Sequence, residues 1–174
     1  NVGVIDYSYT EMHEDLNVTP EPGVTMMPDL PEPFGPAHGT AVLGIINAID
    51  QTRPNPGLPN NQQPDGLTQI GVVGIAPEAN ALFFPLVSLE DGARELEAWT
   101  NAINTLGLGD VLCIPYGPQG GGGCVNTVEA TWTLANVATD LGITVVMSAG
   151  NASVDLNAAP EFGDNGVIIT GAST

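Results

Sequence analysis

Three polar residues each sit at the boundary of a run of small and apolar residues. Asp6 ends the run Val2-Gly3-Val4-Ile5. His38 lies in Ala37-His38-Gly39-Thr40, just ahead of an apolar helical pattern. Asn151 follows Val145-Val146-Met147-Ser148-Ala149-Gly150. A partly buried carboxylate at the rim of a sheet can orient a base. A histidine at a helix start resists charging, because the positive end of the helix dipole opposes an imidazolium. Neutral imidazole is the form a general base must take. The neighbouring Gly39 lets backbone or substrate approach closely. An amide at a strand end can donate to a developing oxyanion. Each residue alone has a plainer reading: a turn-capping acid, a structural histidine, a turn asparagine. His13, in an acidic polar stretch with no flanking motif, reads as a surface residue. Together, in the order aspartate, histidine, then Gly-Asn after a later apolar strand, they form a much more specific signal.

The elements that must position them alternate short apolar runs with amphipathic stretches. Residues 1–6 read as a buried strand and 40–49 as a helix with Val42, Leu43, Ile45 and Ile46 on its apolar side. Residues 81–87 read as a strand. Residues 91–106 read as a helix with Leu96, Trp99, Ile103 and Leu106 at helical spacing. Strands are expected at 110–115, 143–148 and 167–171, a glycine-rich turn at 118–123, and a helix at 125–141. The pattern predicts an α/β fold in three layers, a mostly parallel sheet with helices on both faces. In such sheets sites form beyond the carboxyl ends of the strands. Three strand ends carry polar or unusual residues: Asp6, Pro115-Tyr116-Gly117, and Ser148-Ala149-Gly150-Asn151. Trp99 and Trp132 fall at core spacing on helices, and Phe83 and Phe84 alternate in a strand, so all four read as structural.

Composition narrows the function classes. The 174 residues have 43% hydrophobic content, enough for one domain with a sizeable core. Twenty acids face only Arg53 and Arg94, there is no lysine, and the net charge is -18. That balance argues against nucleic acid and anionic membranes as partners. No apolar run reaches the roughly 18 residues that would span a bilayer. Cys113 and Cys124 flank a short glycine-rich loop and form a disulfide candidate, against two separate thiols with Cys113 buried in a strand.

Four segments, in order and with compatible spacing, resemble the subtilisin-like serine proteases (subtilases, peptidase family S8). Val2-Gly3-Val4-Ile5-Asp6 resembles the aspartate segment, and His38-Gly39-Thr40-Ala41-Val42-Leu43-Gly44 the histidine segment. Gly71-Val72-Val73-Gly74-Ile75-Ala76-Pro77 resembles the Gly-x-x-Gly-x-Ala-Pro stretch, and Ser148-Ala149-Gly150-Asn151 the oxyanion segment. The resemblance implies that Asp6 and His38 are two members of an Asp-His-Ser triad and Asn151 an oxyanion donor. It implies that Pro115, Tyr116 and Gly117 pair with an extended polypeptide substrate, and that Ser148, Ala149 and Gly150 wall its first pocket. Catalysis of this kind requires no cofactor; calcium is a structural candidate. Asp65, with Asn60, Asn61 and Gln62, offers hard oxygen ligands in the loop 51–69, which otherwise reads as an unliganded polar insertion. The resemblance implies a secreted protein, and a solvated acidic surface fits that setting.

The chain also departs from the pattern. No Gly-Thr-Ser segment is present, and Ser173 lacks the required context. Tyr7-Ser8 follows the aspartate, and Pro115 removes a backbone N–H from the substrate-pairing strand. The expectation is residues 1–174 as a partial peptidase domain, the front two-thirds of the fold, whose partner includes the remainder of that domain. The alternative is a catalytically inactive relative that binds peptide or a partner subunit. A cofactor-binding module is the weakest reading, because no Gly-x-Gly-x-x-Gly follows the first strand.

Overall fold

The computed structural model describes residues 1–27, 30–31, 34–50, 72–118, 123–153, 155–156 and 162–171. The segment 51–69, with Asn60, Asn61, Gln62 and Asp65, lies outside the described residues, as do Gly71, Ser173 and residues 119–122, which hold all but the last glycine of the run 120–123.

Eight strands and three helices follow in chain order among the described residues. They are β1 (Val2–Asp6), β2 (Val18–Pro20), α1 (Pro36–Asn47), β3 (Ala81–Pro85), β4 (Val87–Ser88) and β5 (Gly92–Ala93), then α2 (Glu95–Thr105), β6 (Val111–Ile114), α3 (Glu129–Asp140), β7 (Thr144–Ser148) and β8 (Ile168–Thr170). Six strands form one sheet in the order β2-β3-β1-β6-β7-β8, every pairing parallel. β4 and β5 form a small antiparallel ribbon. β1 lies in the middle, with Val4 beside Phe83 on one flank and Cys113 on the other.

Side-chain alternation along the strands divides the core in two. Val4, Phe83 and Cys113 point to one face and pack with Leu43 of α1. Ile5, Phe84, Leu112 and Ile114 point to the other, against Ala98 and Trp99 of α2 and Ala135 and Ala138 of α3. The expected three layers are therefore present, with one helix on the first face and two on the second. A sheet buried on both faces accounts for runs such as Val-Gly-Val-Ile, which are apolar throughout rather than alternating.

Several boundaries differ from the sequence reading. α1 begins at Pro36, four residues before the expected start at Thr40. Proline suits the first helical turn, where its missing N–H has no helical acceptor. His38 is consequently inside the first turn rather than ahead of it. Leu43 is the buried apolar anchor of α1, while Ile45 is 63% exposed. α2 is shorter than expected because Gly92–Ala93 belongs to the ribbon, and Leu96 faces outward. The 125–141 segment opens with a 3-10 turn before α3. Trp132 is a half-buried rim residue, its ring 5.9 Å from Phe162 and its indole N–H donating to the Gly163 carbonyl, so its expected place in the core is corrected. Trp99 is fully buried as expected.

Cys113 and Cys124 are free thiols. Cys113 packs on the α1 side of the sheet and Cys124 on the α2–α3 side, so the sheet itself separates them. The expected disulfide is corrected on this ground.

Candidate active site

Parallel pairing puts the carboxyl ends of β1, β6 and β7 along one edge of the sheet. Asp6, the segment 115–117 and the segment 148–151 therefore share that edge. His38 reaches it from α1, which packs across the α1 face.

The Asp6 side chain is fully buried and both its oxygens are engaged. Oδ2 lies 2.7 Å from His38 Nδ1, and Oδ1 accepts the Tyr7 backbone N–H at 2.7 Å. A carboxylate only accepts, so Nδ1 carries the proton of a neutral His38 and Nε2 is the basic nitrogen. The imidazole is 41% exposed, against a buried carboxylate. The pair therefore sets a dry carboxylate against a partly solvent-exposed imidazole.

Two contacts set this distance. A Cβ on Gly39 would collide with the Ser8 carbonyl oxygen, so α1 lies directly against the backbone that follows β1. The sequence suggested close approach by backbone or substrate at this glycine; the approaching group is the chain's own backbone. Thr40 fastens the same joint, its Oγ1 accepting the Thr10 N–H at 2.9 Å and donating to the Pro36 carbonyl at 2.6 Å. At the far end of α1 the segment 74–76 donates N–H groups to the Ala48, Ile45 and Ile46 carbonyls at 2.8–2.9 Å. Those bonds satisfy carbonyls that a helix terminus leaves without partners. Gly74, Ile75 and Ala76 of the Gly-x-x-Gly-x-Ala-Pro motif thus act as a clamp on the histidine helix.

Beyond β6 and β7, Ser148 Oγ lies 3.4 Å from the Tyr116 carbonyl, and the Ala149 N–H donates to the Thr170 carbonyl at 2.8 Å. Gly150 has φ +83°, a left-handed conformation that turns the chain sharply off the strand. Asn151 follows this turn and is exposed. Tyr116 is buried, and its side chain leaves the edge for α2. Its hydroxyl accepts the Trp99 indole N–H at 2.9 Å and donates to Glu95 Oε1 at 2.8 Å. Burial, then the Glu95 charge, pushes its pKa far up, so the phenol stays protonated. Tyr7 is also buried, with its ring 4.9 Å from Phe34 and 6.2 Å from Tyr116. The bulk beside Asp6 is thereby absorbed by edge-to-face aromatic contacts. His13 is half-buried; its Nδ1 accepts the Asp15 N–H.

Sequence reasoning missed one buried charge cluster. Arg94, 3% exposed, makes a forked pair with Glu21 at 2.7 and 2.8 Å and donates to the Pro85 carbonyl at 2.8 Å. Asn101 Nδ2 donates to the same Glu21 at 2.6 Å. The cluster joins the start of α2 to the turn after β2. The only signal for it was that Arg94 is one of two cations in the chain. Among the described residues no three His, Cys, Asp or Glu side chains gather to hold a metal ion. No described helix is long and apolar enough to cross a membrane.

Comparison with known proteins converges on the same fold. The model of the subtilase family matches residues 2–174. The Aeromonas extracellular serine protease of Aeromonas sobria is 35% identical over 109 residues, which is 59% of this chain and 14% of that protein. The solved structure of the patellamide maturation protease PatA superposes with a TM-score of 0.50 at 22% identity. That match covers 86% of this chain and 48% of PatA, and it bears on the fold alone. The chain thus spans about half or less of the length of these relatives.

Proposed function

Because the chain belongs to the subtilase family, we propose that it forms the part of a serine endopeptidase domain that holds the general base, its orienting acid and one oxyanion donor. The observation that carries this reading is the 2.7 Å contact between His38 Nδ1 and the fully buried Asp6 at the carboxyl edge of the sheet.

In this mechanism the nucleophile is a serine hydroxyl supplied by polypeptide other than these residues. His38 Nε2 takes its proton as the oxygen attacks a peptide carbonyl, and later delivers that proton to the leaving amine. Asp6 holds Nδ1–H toward itself and stabilises the imidazolium between the two transfers. The Asn151 amide donates to the oxyanion. The substrate lies extended along Pro115, Tyr116 and Gly117, with Ser148, Ala149 and Gly150 opposite. Pro115 contributes no N–H, so backbone pairing on that side falls to its carbonyl and to its neighbours. The substrate is a polypeptide, and the site of action is extracellular. The description of the Aeromonas relative as extracellular supports that setting, as does the lysine-free acidic composition.

The test is labelling of the full-length protein with a fluorophosphonate, read by intact mass and by proteolysis of a casein substrate. One adduct, together with activity lost in His38→Ala, supports the reading. A folded full-length protein with no adduct and no proteolysis refutes it and favours a non-catalytic peptide-binding or subunit-binding domain.

A further inference from the structure

Resting on the subtilase reading above, we infer that the cleft beside Tyr116 and Gly117 is a cation-accepting subsite that selects a lysine or arginine side chain of the polypeptide substrate. The cleft has a volume of about 340 Å³, and its walls include Tyr7, Leu86, Leu96, Tyr116, Glu95 and Glu97. Gly117, the end of the segment along which the substrate is proposed to lie, also lines it.

The walls have the shape of a basic side chain turned inside out. A lysine or arginine carries a long apolar stem and a charged tip. Leu86, Leu96 and the two tyrosine rings offer apolar surface for the stem, and an aromatic face also attracts a cation. Among the described residues, the only formally charged groups lining the cleft are the carboxylates of Glu95 and Glu97. The buried Tyr116 hydroxyl fixes Glu95 through Oε1 at 2.8 Å, with Trp99 fixing that hydroxyl in turn. Glu95 is therefore a held acceptor rather than a wandering surface acid. Among the described residues no hydrogen bond reaches its Oε2.

The chain does little to neutralise this pair itself. Arg94 precedes Glu95, but its guanidinium turns away into Glu21 and the Pro85 carbonyl and is 3% exposed. Its charge is felt by Glu97, yet the hydrogen bonds it makes go to Glu21 and Pro85, and its Nε is buried. There is no lysine, and Arg53 lies outside the described residues. A substrate cation entering the cleft meets two carboxylates, whereas an acidic side chain meets repulsion from them and from a chain of net charge -18.

The test uses the full-length protein and an internally quenched peptide library in which one position at a time is Lys, Arg, Ala or Glu. One position is expected to favour Lys or Arg over Ala by roughly fivefold to tenfold in kcat/KM at low salt, a preference that shrinks as salt screens it. Glu97→Gln should bring that ratio toward one, and Glu97→Lys should turn it toward Glu. Position 97 is exposed, so neither variant threatens folding. An active, fluorophosphonate-labelled enzyme with no basic preference, or with one unchanged by both variants, overturns this inference and leaves the protease reading standing. No label and no cleavage of any peptide overturns both.

Discussion

Replacing Asp6 by Asn should invert the tautomer of His38, and the structure says why the amide cannot simply turn to avoid this. Asp6 Oδ1 accepts the Tyr7 N–H at 2.7 Å and Oδ2 faces His38 Nδ1 at 2.7 Å. Asparagine has one oxygen and one NH2. With its oxygen on the Tyr7 N–H, its NH2 points at Nδ1, which must then accept and move the imidazole proton to Nε2. The opposite orientation sets two donors against each other at Tyr7 in a fully buried site. That costs about 2 kcal/mol, or a factor of about 30 against it. Nε2, the nitrogen that should take a serine proton, is then protonated in nearly all molecules. By analogy with other triads, kcat should fall by about 10⁴ with little change in the melting temperature. Two measurements check this. Imidazole ¹⁵N shifts report the tautomer directly, and turnover of a peptide substrate by the full-length protein reports the consequence. An Asp6→Asn variant that keeps Nδ1–H, or that turns over within tenfold of the parent, would refute the reasoning.

Gly39→Ala should push α1 off the Ser8 carbonyl, because the new methyl meets backbone rather than a movable side chain; a loss of about 1–3 kcal/mol is expected in denaturant melts, with loss of turnover greater than stability explains. Glu21→Gln leaves Arg94 buried without its counter-ion and should cost about 3–5 kcal/mol, lowering the melting temperature by about 6–20 °C in calorimetry. Burial, then the Asp6 charge, pushes the Cys113 thiol up to about 11, and burial also raises Cys124. The folded state therefore resists thiolate formation. The stability linked to Cys113 is complete below the unfolded thiol pKa, near 9, and is lost as pH rises toward 11. A thiol-reactive dye at pH 8 should react slowly with native protein and count two thiols in denaturant; a count of zero would mean that the cysteines are bridged.

Local signals carried far in this chain, and long-range ones did not. The run Val2–Ile5 is apolar on both faces, which is what a strand covered on both sides requires, so its place in a parallel sheet was readable. His38 and Asp6 were readable as a pair only through the order of motifs, because no local rule links residues 32 apart. The start of α1 was misplaced because Pro36-Ala37-His38-Gly39 contains neither an apolar repeat nor a capping side chain. β2 was missed because three residues ending in proline, paired only at a sheet edge, leave almost no pattern. The Arg94–Glu21 pair joins residues 73 apart and had no local counterpart at all. The cysteines were misjudged for a related reason. Eleven positions of glycine-rich sequence suggest nearness, but the parity of a strand residue decides which face of the sheet a thiol occupies.

Asp15 has a consequence for the long segment 51–71. Its backbone carbonyl accepts the Ile49 N–H at 2.8 Å, and its side-chain Oδ2 accepts the Val72 N–H at 3.3 Å. One nearly buried residue therefore grips the chain on both sides of that segment. Together with the bonds from residues 74–76 to the end of α1, this makes a closed collar through which the segment leaves and returns. The collar therefore ties the far end of the histidine helix to the chain that follows β1, and so helps to hold His38 in register with the strand that carries Asp6.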